Sequence, residues 1–332
     1  MSWKPKYNLT PIILKLVQEI SQQIGELKAY QLTAPPTHLR RSNRIKSIHA
    51  SLSIEGNTLS IGQVTAIIDK QRVIGPKVDI LEVQNAIKAY EEIHTYVPYK
   101  KVDLLKAHNT LMTRLLDRPG RYRTTQVGIT KGSKNAHLAP PPSMVPSLMQ
   151  DLLAYCKDNE ELTLIKSCVF HYELEFIHPF IDGNGRIGRL WQTLILIQEY
   201  PVFAYIPIEQ IILHEQQSYY KALAESDKGG HSTAFIEFML HCISESLKDL
   251  LSIRALTSTF LSRLEKAQIT FADNTFTRKQ YMQLHKTIST ATASRDLARA
   301  VKEELIIKMG EKRMARYEFK FASETKIHSD NT

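Results

Sequence analysis

The segment HPFIDGNGRIGR, His178 to Arg189, constrains the fold of this chain more than any other feature. The triplet Gly183-Asn184-Gly185 stands directly before an amphipathic run. The apolar side chains of that run recur at helical spacing, at Ile187, Leu190, Leu194 and Ile197. Glycines at a helix start let backbone N–H groups approach an anion closely, and the helix N-terminus adds about half a positive charge. The segment therefore predicts an anion-binding loop that opens a helix.

The charged residues of the same segment add chemistry to this loop. Arg186 and Arg189 lie three residues apart, so they project from one face of the first helical turn. Cations there are disfavoured by roughly 0.3–1 kcal/mol each, a cost that a bound polyanion reverses. His178 is a base at neutral pH, and Asp182 is a hard oxygen ligand suited to Mg²⁺. Together they predict a site for phosphoryl or nucleotidyl transfer.

Most of the 332 residues show apolar periodicity typical of helices. Helices are predicted at 9–32, 40–55, 60–70, 79–96, 101–116, 143–157, 162–177, 185–199, 208–226 and 232–268. One internal stretch is not helical: Arg123 to Ile129 alternates as a strand, 131–134 is a turn, and Asn135 to Ala139 returns as a second strand before three prolines. The pattern predicts an all-α fold with one small β-hairpin.

The character of the chain changes near Asn274. Helices at 278–288 and 292–305 flank a short turn, and strands at 306–308 and 315–321 follow, which is the layout of a winged helix-turn-helix. From Ser252 onward the chain carries 15 Lys and Arg against nine Asp and Glu, within a formal net charge of +9. Two interpretations stay open, a basic module that contacts nucleic acid and an ordinary solvated surface.

Composition excludes several classes of protein. Hydrophobic residues make up 43% and charged residues 23%, which are globular values and exclude disorder and low complexity. Three cysteines without CxxC spacing argue against a disulfide scaffold and a cysteine zinc site, and favour a reducing compartment. The N-terminus lacks a signal-peptide core. Leu190 to Ile208 is interrupted by polar residues, which indicates a core helix and strand rather than a membrane span. We expect a cytoplasmic protein without membrane contact.

His178 to Arg189 resembles the HxFx(D/E)GNGRxxR signature of the Fic family at every position. PGRYRTTQV, from Pro119, resembles the family's strand region and flap, and YYKAL, from Tyr219, resembles its segment beside the nucleotide base. The resemblance covers roughly 51–238. It implies a mainly helical Fic fold with a β-hairpin flap. The expected domains are an N-terminal helical region 1–100, a Fic catalytic domain 101–250, a linker helix 251–273, a winged helix-turn-helix 274–322 and a tail 323–332.

The resemblance implies a protein adenylyltransferase, which transfers AMP from ATP to a Ser, Thr or Tyr hydroxyl of a protein, itself included, and releases pyrophosphate. In that scheme His178 deprotonates the target hydroxyl, Asp182 binds Mg²⁺, and Phe180 anchors the loop. The implied ATP-binding set is Gly183, Asn184, Gly185, Arg186, Ile187, Gly188 and Arg189. Tyr219 is expected beside adenine. The flap residues Asn135, Ala136, His137 and Leu138 are expected to clamp the target backbone by strand addition.

The segment SLSIEGN, Ser51 to Asn57, resembles the (S/T)xxxE(G/N) inhibitory motif of the same family. Glu55 stands at a helix end, where the dipole disfavours a carboxylate, so either it is solvated or it has a cationic partner elsewhere. The resemblance implies that Ser51 and Glu55 belong to a built-in brake in which Glu55 pairs with Arg189. The same geometry suggests that Glu55 positions a water for removal of AMP.

Three functions therefore stay open: a self-inhibited AMP transferase, a DNA-binding regulator with a nucleotide-sensing Fic domain, and an enzyme that removes AMP. The expected partners are ATP with Mg²⁺, a protein that offers a hydroxyl, DNA, and a second copy of the chain in a homodimer. DNA contact is expected from the second helix of the C-terminal module and from its wing, through Ser294, Arg295, Arg299, Lys312, Arg313 and Arg316. The alternative is that this module docks a protein or the Fic domain.

Overall fold

A computed structural model describes residues 3–29, 37–130, 136–157, 160–272, 274–286, 288–311 and 315–319. The chain divides into two compact units, residues 1–250 and 251–332. Helices dominate and the described strands are short, so the predicted fold class is confirmed. Within the described ranges no helix is long and apolar enough to cross a bilayer.

Helices of the first unit follow one another with short connections. They are α1 Pro11–Ala29, α2 Thr37–Ile54, α3 Ile61–Ile68, α4 Lys77–Glu91, α5 Lys101–Met112, α6 Val145–Lys157, α7 Thr163–Ile177, α8 Asn184–Glu199, α9 Ile208–His214 and α10 Gln216–Gly229. A longer helix, α11, runs over Thr233–Phe271. The single helix predicted at 208–226 is wrong, because Glu215 leaves helical geometry between α9 and α10. The strand predicted after α8 is also wrong, since Pro201–Tyr205 forms a 3₁₀ turn.

The centre of the first unit is the pair formed by α7 and α8. Every residue of α8 from 184 to 197 is buried, so this helix has no solvent face. The helices approach closely at Gly188, where a Cβ would lie 2.9 Å from Cδ2 of His171 on α7. The consequence is that polar groups at the start of α8 are buried as well, and they require partners from neighbouring helices.

Helix α2 is fixed beside α9 by a buried carboxylate. Glu209, on α9, accepts hydrogen bonds from the hydroxyls of Ser47 and Tyr90, each at 2.8 Å. Burial raises the pKa of Glu209, against the effect of these two donors. The last turn of α2 also lies beside α8, where Ser51 accepts hydrogen bonds from Arg189. The chain leaves α2 through Gly56, as predicted for a helix stop.

The predicted flap is a two-stranded antiparallel hairpin, β1 Gly128–Thr130 and β2 Ala136–Leu138, with Ile129 opposite His137. Both strands are shorter than predicted. Asn135 lies outside the described residues, and only the backbone is described for the three flap residues of β2.

The second unit contains the end of α11, β3 Phe276–Thr277, α12 Arg278–Leu284, α13 Thr290–Lys302, β4 Ile306–Met309 and β5 Arg316–Phe319. The strands form an antiparallel sheet in the order β3-β5-β4. This is the predicted order of a helix-turn-helix followed by a hairpin. The predicted wing residues Lys312 and Arg313 lie outside the described ranges.

The residues expected to face DNA differ in their surroundings. Arg295 is exposed, and Ser294 accepts a hydrogen bond from Arg278 at 2.9 Å. Arg299 does not project freely as predicted, because its Nε donates to Glu303 at 2.7 Å and its guanidinium lies 4.5 Å from the Phe260 ring centroid. DNA contact by this unit stays a prediction.

A buried ion pair joins α13 to α11 in the second unit. Asp296, 6% exposed, accepts two hydrogen bonds from Arg263, at 2.7 and 2.9 Å. The Tyr281 hydroxyl donates to the same carboxylate at 3.2 Å. This bidentate geometry is the strongest form of Arg–carboxylate contact, and it fixes the orientation of α13.

Replacing Asp296 with Ala is expected to lower the local free energy of opening of α13 by about 2–4 kcal/mol, because the guanidinium of Arg263 and the hydroxyl of Tyr281 lose their acceptor. Hydrogen exchange of the α13 amides measures this change. Arg295→Ala, at an exposed position of the same helix, is the control and should leave protection unchanged. Equal protection in both variants would contradict the assigned role.

Candidate active site

His178 caps the C-terminus of α7 in the left-handed conformation, with φ 49° and ψ 60°. Its Nδ1 lies 3.3 Å from the Glu175 carbonyl oxygen and 3.9 Å from the Glu175 carboxylate. These acceptors favour the tautomer with the proton on Nδ1, which leaves Nε2 as the basic nitrogen. The imidazole is 16% exposed. A partly accessible, oriented base therefore lies where the sequence predicts one.

The loop after His178 is closed by Phe180 and Asn184. Phe180 is fully buried, as predicted for an anchor, and stacks on His108 with ring centroids 3.7 Å apart. The Asn184 side chain accepts from the Phe180 N–H at 3.0 Å and donates to its carbonyl at 2.9 Å. Both ends of the amide are thus engaged within the loop, and only the backbone of Asn184 remains for a phosphate.

His108 on α5 supports this loop through two hydrogen bonds. The Gly120 N–H donates to Nδ1 at 2.9 Å, so Nε2 carries the proton and donates to the Asp182 carbonyl at 2.9 Å. Burial lowers the pKa of His108 to about 4, which keeps the ring neutral. Gly183 follows in left-handed geometry, and a Cβ there would lie 2.7 Å from Sδ of Met112. Sequence reasoning missed His108, since a lone histidine on a helix carries no motif.

Arg123 ties the flap to the loop that begins at His178, a role the sequence analysis also missed. Its guanidinium donates to the carbonyls of His178 at 2.7 Å, Pro140 at 2.6 Å and Thr125 at 3.1 Å. Within the described chain all its acceptors are backbone carbonyls, and burial lowers its pKa. The segment that contains Arg123 was predicted as a strand, which gave no reason to expect a buried cation.

The start of α8 presents its first backbone N–H groups without intrahelical acceptors. Two members of the predicted ATP-binding set, Ile187 and Gly188, contact the helical core. The Ile187 N–H donates to the Gly183 carbonyl at 3.0 Å, and its side chain is fully buried in the core. Gly188 faces His171 of α7. Both positions contribute to helix packing in this structure, and their assignment to ATP binding stays a prediction.

Arg189 is paired with Glu55, as predicted. Its Nη2 lies 2.9 Å from the Glu55 carboxylate and donates to the Ser51 carbonyl at 2.8 Å, while Nε donates to the Ser51 hydroxyl at 3.1 Å. The Arg189 side chain is 1% exposed and that of Glu55 is 25% exposed. Burial alone would lower the pKa of Arg189, but the charge of Glu55 reverses the effect and raises it.

Arg186 lies on the same face as Arg189 and also contacts carboxylates. Its Nη1 pairs with Glu82 of α4, and its Nη2 donates to Asp182 at 2.9 Å. Asp182 is 56% exposed and accepts from the Gly183 N–H at 2.6 Å. No sequence motif marked Glu82, which lies 104 residues before Arg186.

Two buried donors in this site lack an acceptor. Nη1 of Arg189 and Nε of Arg186 are inaccessible to solvent and make no hydrogen bond with any residue that the structure describes. Beside them, Gly185 leaves room for the Glu55 carboxylate, and a Cβ at position 185 would collide with that carboxylate. Gly185 and the donors of Arg186 and Arg189 thus form an anion-binding cradle at the start of α8, and the Glu55 carboxylate lies in it.

Tyr219 is not available to a nucleotide base in this structure. It is fully buried on α10, and its hydroxyl lies 3.2 Å from Nε2 of His171 and 3.4 Å from the Glu175 carboxylate. The aromatic ring belongs to the core between α7 and α10. The prediction that Tyr219 contacts adenine therefore does not fit its burial.

Comparisons with known proteins agree with this geometry. The model of the Fic/DOC family matches residues 98–196. The chain is 28% identical over 255 residues to the protein adenylyltransferase Fic of Nematostella vectensis, covering 71% of this chain and 57% of the relative. The chain spans about half the length of the curated relatives it matches.

Solved structures extend the similarity. Fic-1 of Caenorhabditis elegans, residues 134–508, shares the fold with a TM-score of 0.62 at 21% identity, over 74% of each chain. A Fic family protein from Desulfovibrio desulfuricans G20 is 40% identical, with a TM-score of 0.74 over 97% of this chain and all of the other. With its signature residues, fold and length matched in this way, the chain belongs to the Fic/DOC family.

Proposed function

We propose that this protein transfers AMP from ATP to a hydroxyl side chain of a protein and holds itself in an inhibited state. The observation that carries the proposal is the cradle at the start of α8. Two buried arginines there keep donors without acceptors, and the Glu55 carboxylate lies over Gly185. Curated relatives named protein adenylyltransferase support the reaction class.

The polyphosphate of ATP fits this cradle chemically. The first N–H groups of α8 and the unpartnered N–H groups of Arg186 and Arg189 offer donors to phosphate oxygens. Burial strengthens each of these contacts, because water does not compete for the donors. Gly185 lets the phosphates approach the helix closely, at the place where Glu55 now lies.

The transfer step requires a base and an oriented phosphate. Nε2 of His178 takes the proton of the target hydroxyl, and the oxygen attacks the α-phosphorus. The bond from the α-phosphorus to the bridging oxygen breaks, and pyrophosphate leaves with the electron pair. Arg123 holds the carbonyl of His178, so the base is fixed to the stem of the flap.

Asp182 is the residue suited to hold Mg²⁺ with the nucleotide. Its carboxylate is 56% exposed, and within the described residues no group of three or more His, Cys, Asp or Glu side chains forms a metal site of its own. Such a donor set fits an ion that takes most of its oxygen ligands from phosphates and water. The ion, when bound, neutralises phosphate charge and helps to orient ATP.

Inhibition follows from competition between two anions for one guanidinium. While Glu55 pairs with Arg189, the γ-phosphate cannot use the same N–H groups, and the α-phosphate is not aligned for attack. A charge-assisted contact of this kind contributes about 1.5–3 kcal/mol, which corresponds to roughly ten- to hundredfold in rate.

His178→Ala is expected to lower AMP incorporation by about 10²–10⁴-fold while ATP still binds, because the phosphate donors lie elsewhere in the site. The measurements are the incorporation of AMP into protein from α-labelled ATP and the dissociation constant of ATP. His94→Ala, at an exposed position, is the matched control. A parallel collapse of ATP affinity would make His178 a binding residue instead.

Asp182→Asn is expected to raise the Mg²⁺ concentration required for half-maximal transfer at least about tenfold, since an amide is a weaker ligand than a carboxylate. The substitution preserves the shape of the side chain, including an acceptor for the Gly183 N–H. Transfer is measured over a Mg²⁺ titration with Asp117→Asn, at an exposed position, as control. An unchanged Mg²⁺ requirement would remove the metal role.

Glu55→Gly is expected to raise automodification by about ten- to hundredfold, whereas Arg189→Ala is expected to abolish it, although both break the same ion pair. Loss of Glu55 frees Arg189 for the γ-phosphate, while loss of Arg189 removes the clamp itself. Incorporation of labelled AMP and thermal unfolding are measured for each variant and for the wild-type protein. If Glu55→Gly merely unfolds at lower temperature without gaining activity, Glu55 has a structural role alone.

A further inference from the structure

Glu82, in the middle of α4, contacts two separate parts of the site with its two oxygens. Oε1 pairs with Nη1 of Arg186, and Oε2 accepts from Nδ2 of Asn57 at 2.8 Å. Its side chain is 16% exposed and that of Arg186 is 6% exposed, so solvent screens this contact little. One carboxylate thereby bridges the first arginine of the signature and the turn that follows Glu55.

That turn is held by further contacts from the first turn of α4. Nδ2 of Asn57 also donates to the Asp79 carbonyl at 3.1 Å. The Thr58 N–H and hydroxyl donate to the Asp79 carboxylate at 2.9 and 2.6 Å. Because Asn57 is two residues from Glu55, these contacts restrain the turn that follows Glu55, whose carboxylate lies over Gly185.

The charges of this site disfavour a polyanion in the state described. Two guanidiniums, of Arg186 and Arg189, are in contact with three carboxylates, those of Glu55, Glu82 and Asp182. The cluster therefore carries more negative than positive groups. Removing Glu55 alone leaves Arg186 still paired with Glu82, so this second pair also opposes the entry of phosphate.

We propose that Glu82 is a second inhibitory residue of this site. It is a positioning residue that acts through two others: it keeps Arg186 paired, and through Asn57 it holds the turn that places Glu55. The proposal rests on the proposed function, since it concerns regulation of the same nucleotide site.

The first test compares Glu82→Gln with Glu91→Gln, an exposed glutamate at the end of the same helix. Glu82→Gln keeps the shape and removes the charge. It is expected to raise AMP incorporation about three- to tenfold, mainly by lowering KM for ATP, because Arg186 becomes available to phosphate. Glu91→Gln should show the same AMP incorporation and the same KM for ATP as the wild-type protein. A fall in incorporation in Glu82→Gln would overturn the proposal.

The second test repeats Glu82→Gln in the Glu55→Gly background. Glu82 is proposed to act partly by holding the turn that follows Glu55. The gain in AMP incorporation caused by Glu82→Gln should therefore be at least about threefold smaller when Glu55 is absent. An equal factor in both backgrounds would overturn the link through Asn57. Asn57→Asp, which removes the donor to Glu82 but keeps the acceptor for the Leu59 N–H, should raise activity in the unmodified background only.

Calorimetric binding of ATP to the same variants separates this inference from the proposed function. Absence of transfer in every variant, Glu55→Gly included, would reject the proposed AMP transfer. Tighter ATP binding by Glu82→Gln than by Glu91→Gln would support the role of Glu82 even then, and equal affinity would reject it. A variant that unfolds at lower temperature without tighter binding would mark Glu82 as structural only.

Discussion

The burial of Arg189 is the constraint on which the rest of the site depends. A guanidinium that is almost inaccessible to solvent is strongly destabilising unless charged and polar acceptors surround it. The carbonyl and hydroxyl of Ser51 and the carboxylate of Glu55 provide those acceptors, and all three belong to the end of α2 or the turn after it. Helix α2 must therefore lie against α8, and the buried carboxylate of Glu209 ties the same helix to α9.

In the proposed function, the same contact lets inhibition and substrate binding share one site. A carboxylate and a phosphate are both anions that accept from guanidinium and backbone N–H groups. The cradle at Gly185 therefore accommodates either one but not both. Because Arg186 is paired with Glu82 in parallel, each arginine of the signature has a carboxylate partner from outside the signature. In the proposed function, activation depends on which anion the two arginines contact.

Prediction from sequence succeeded where local geometry determines the outcome. The helix start after Gly183 and the common face of Arg186 and Arg189 follow from spacing, and the structure contains both. The anchor Phe180 was implied by resemblance, and its side chain is fully buried. The pairing of Glu55 with Arg189 was implied by resemblance and is confirmed. Tyr219 was expected beside adenine and its burial was not foreseen, since proximity to a motif in sequence does not show which side of a helix packs in the core.

The sequence by itself determined the family, the order of the helices and the chemistry of the loop from His178 to Arg189, because these depend on residue types and short spacings. Only the tertiary structure decided which distant residues complete the site. His108 and Arg123 support the loop through backbone carbonyls, and Glu82 reaches Arg186 across 104 residues of sequence. Such contacts leave no periodic or local signal, because they arise when buried polar groups must find partners wherever the packed helices bring them together.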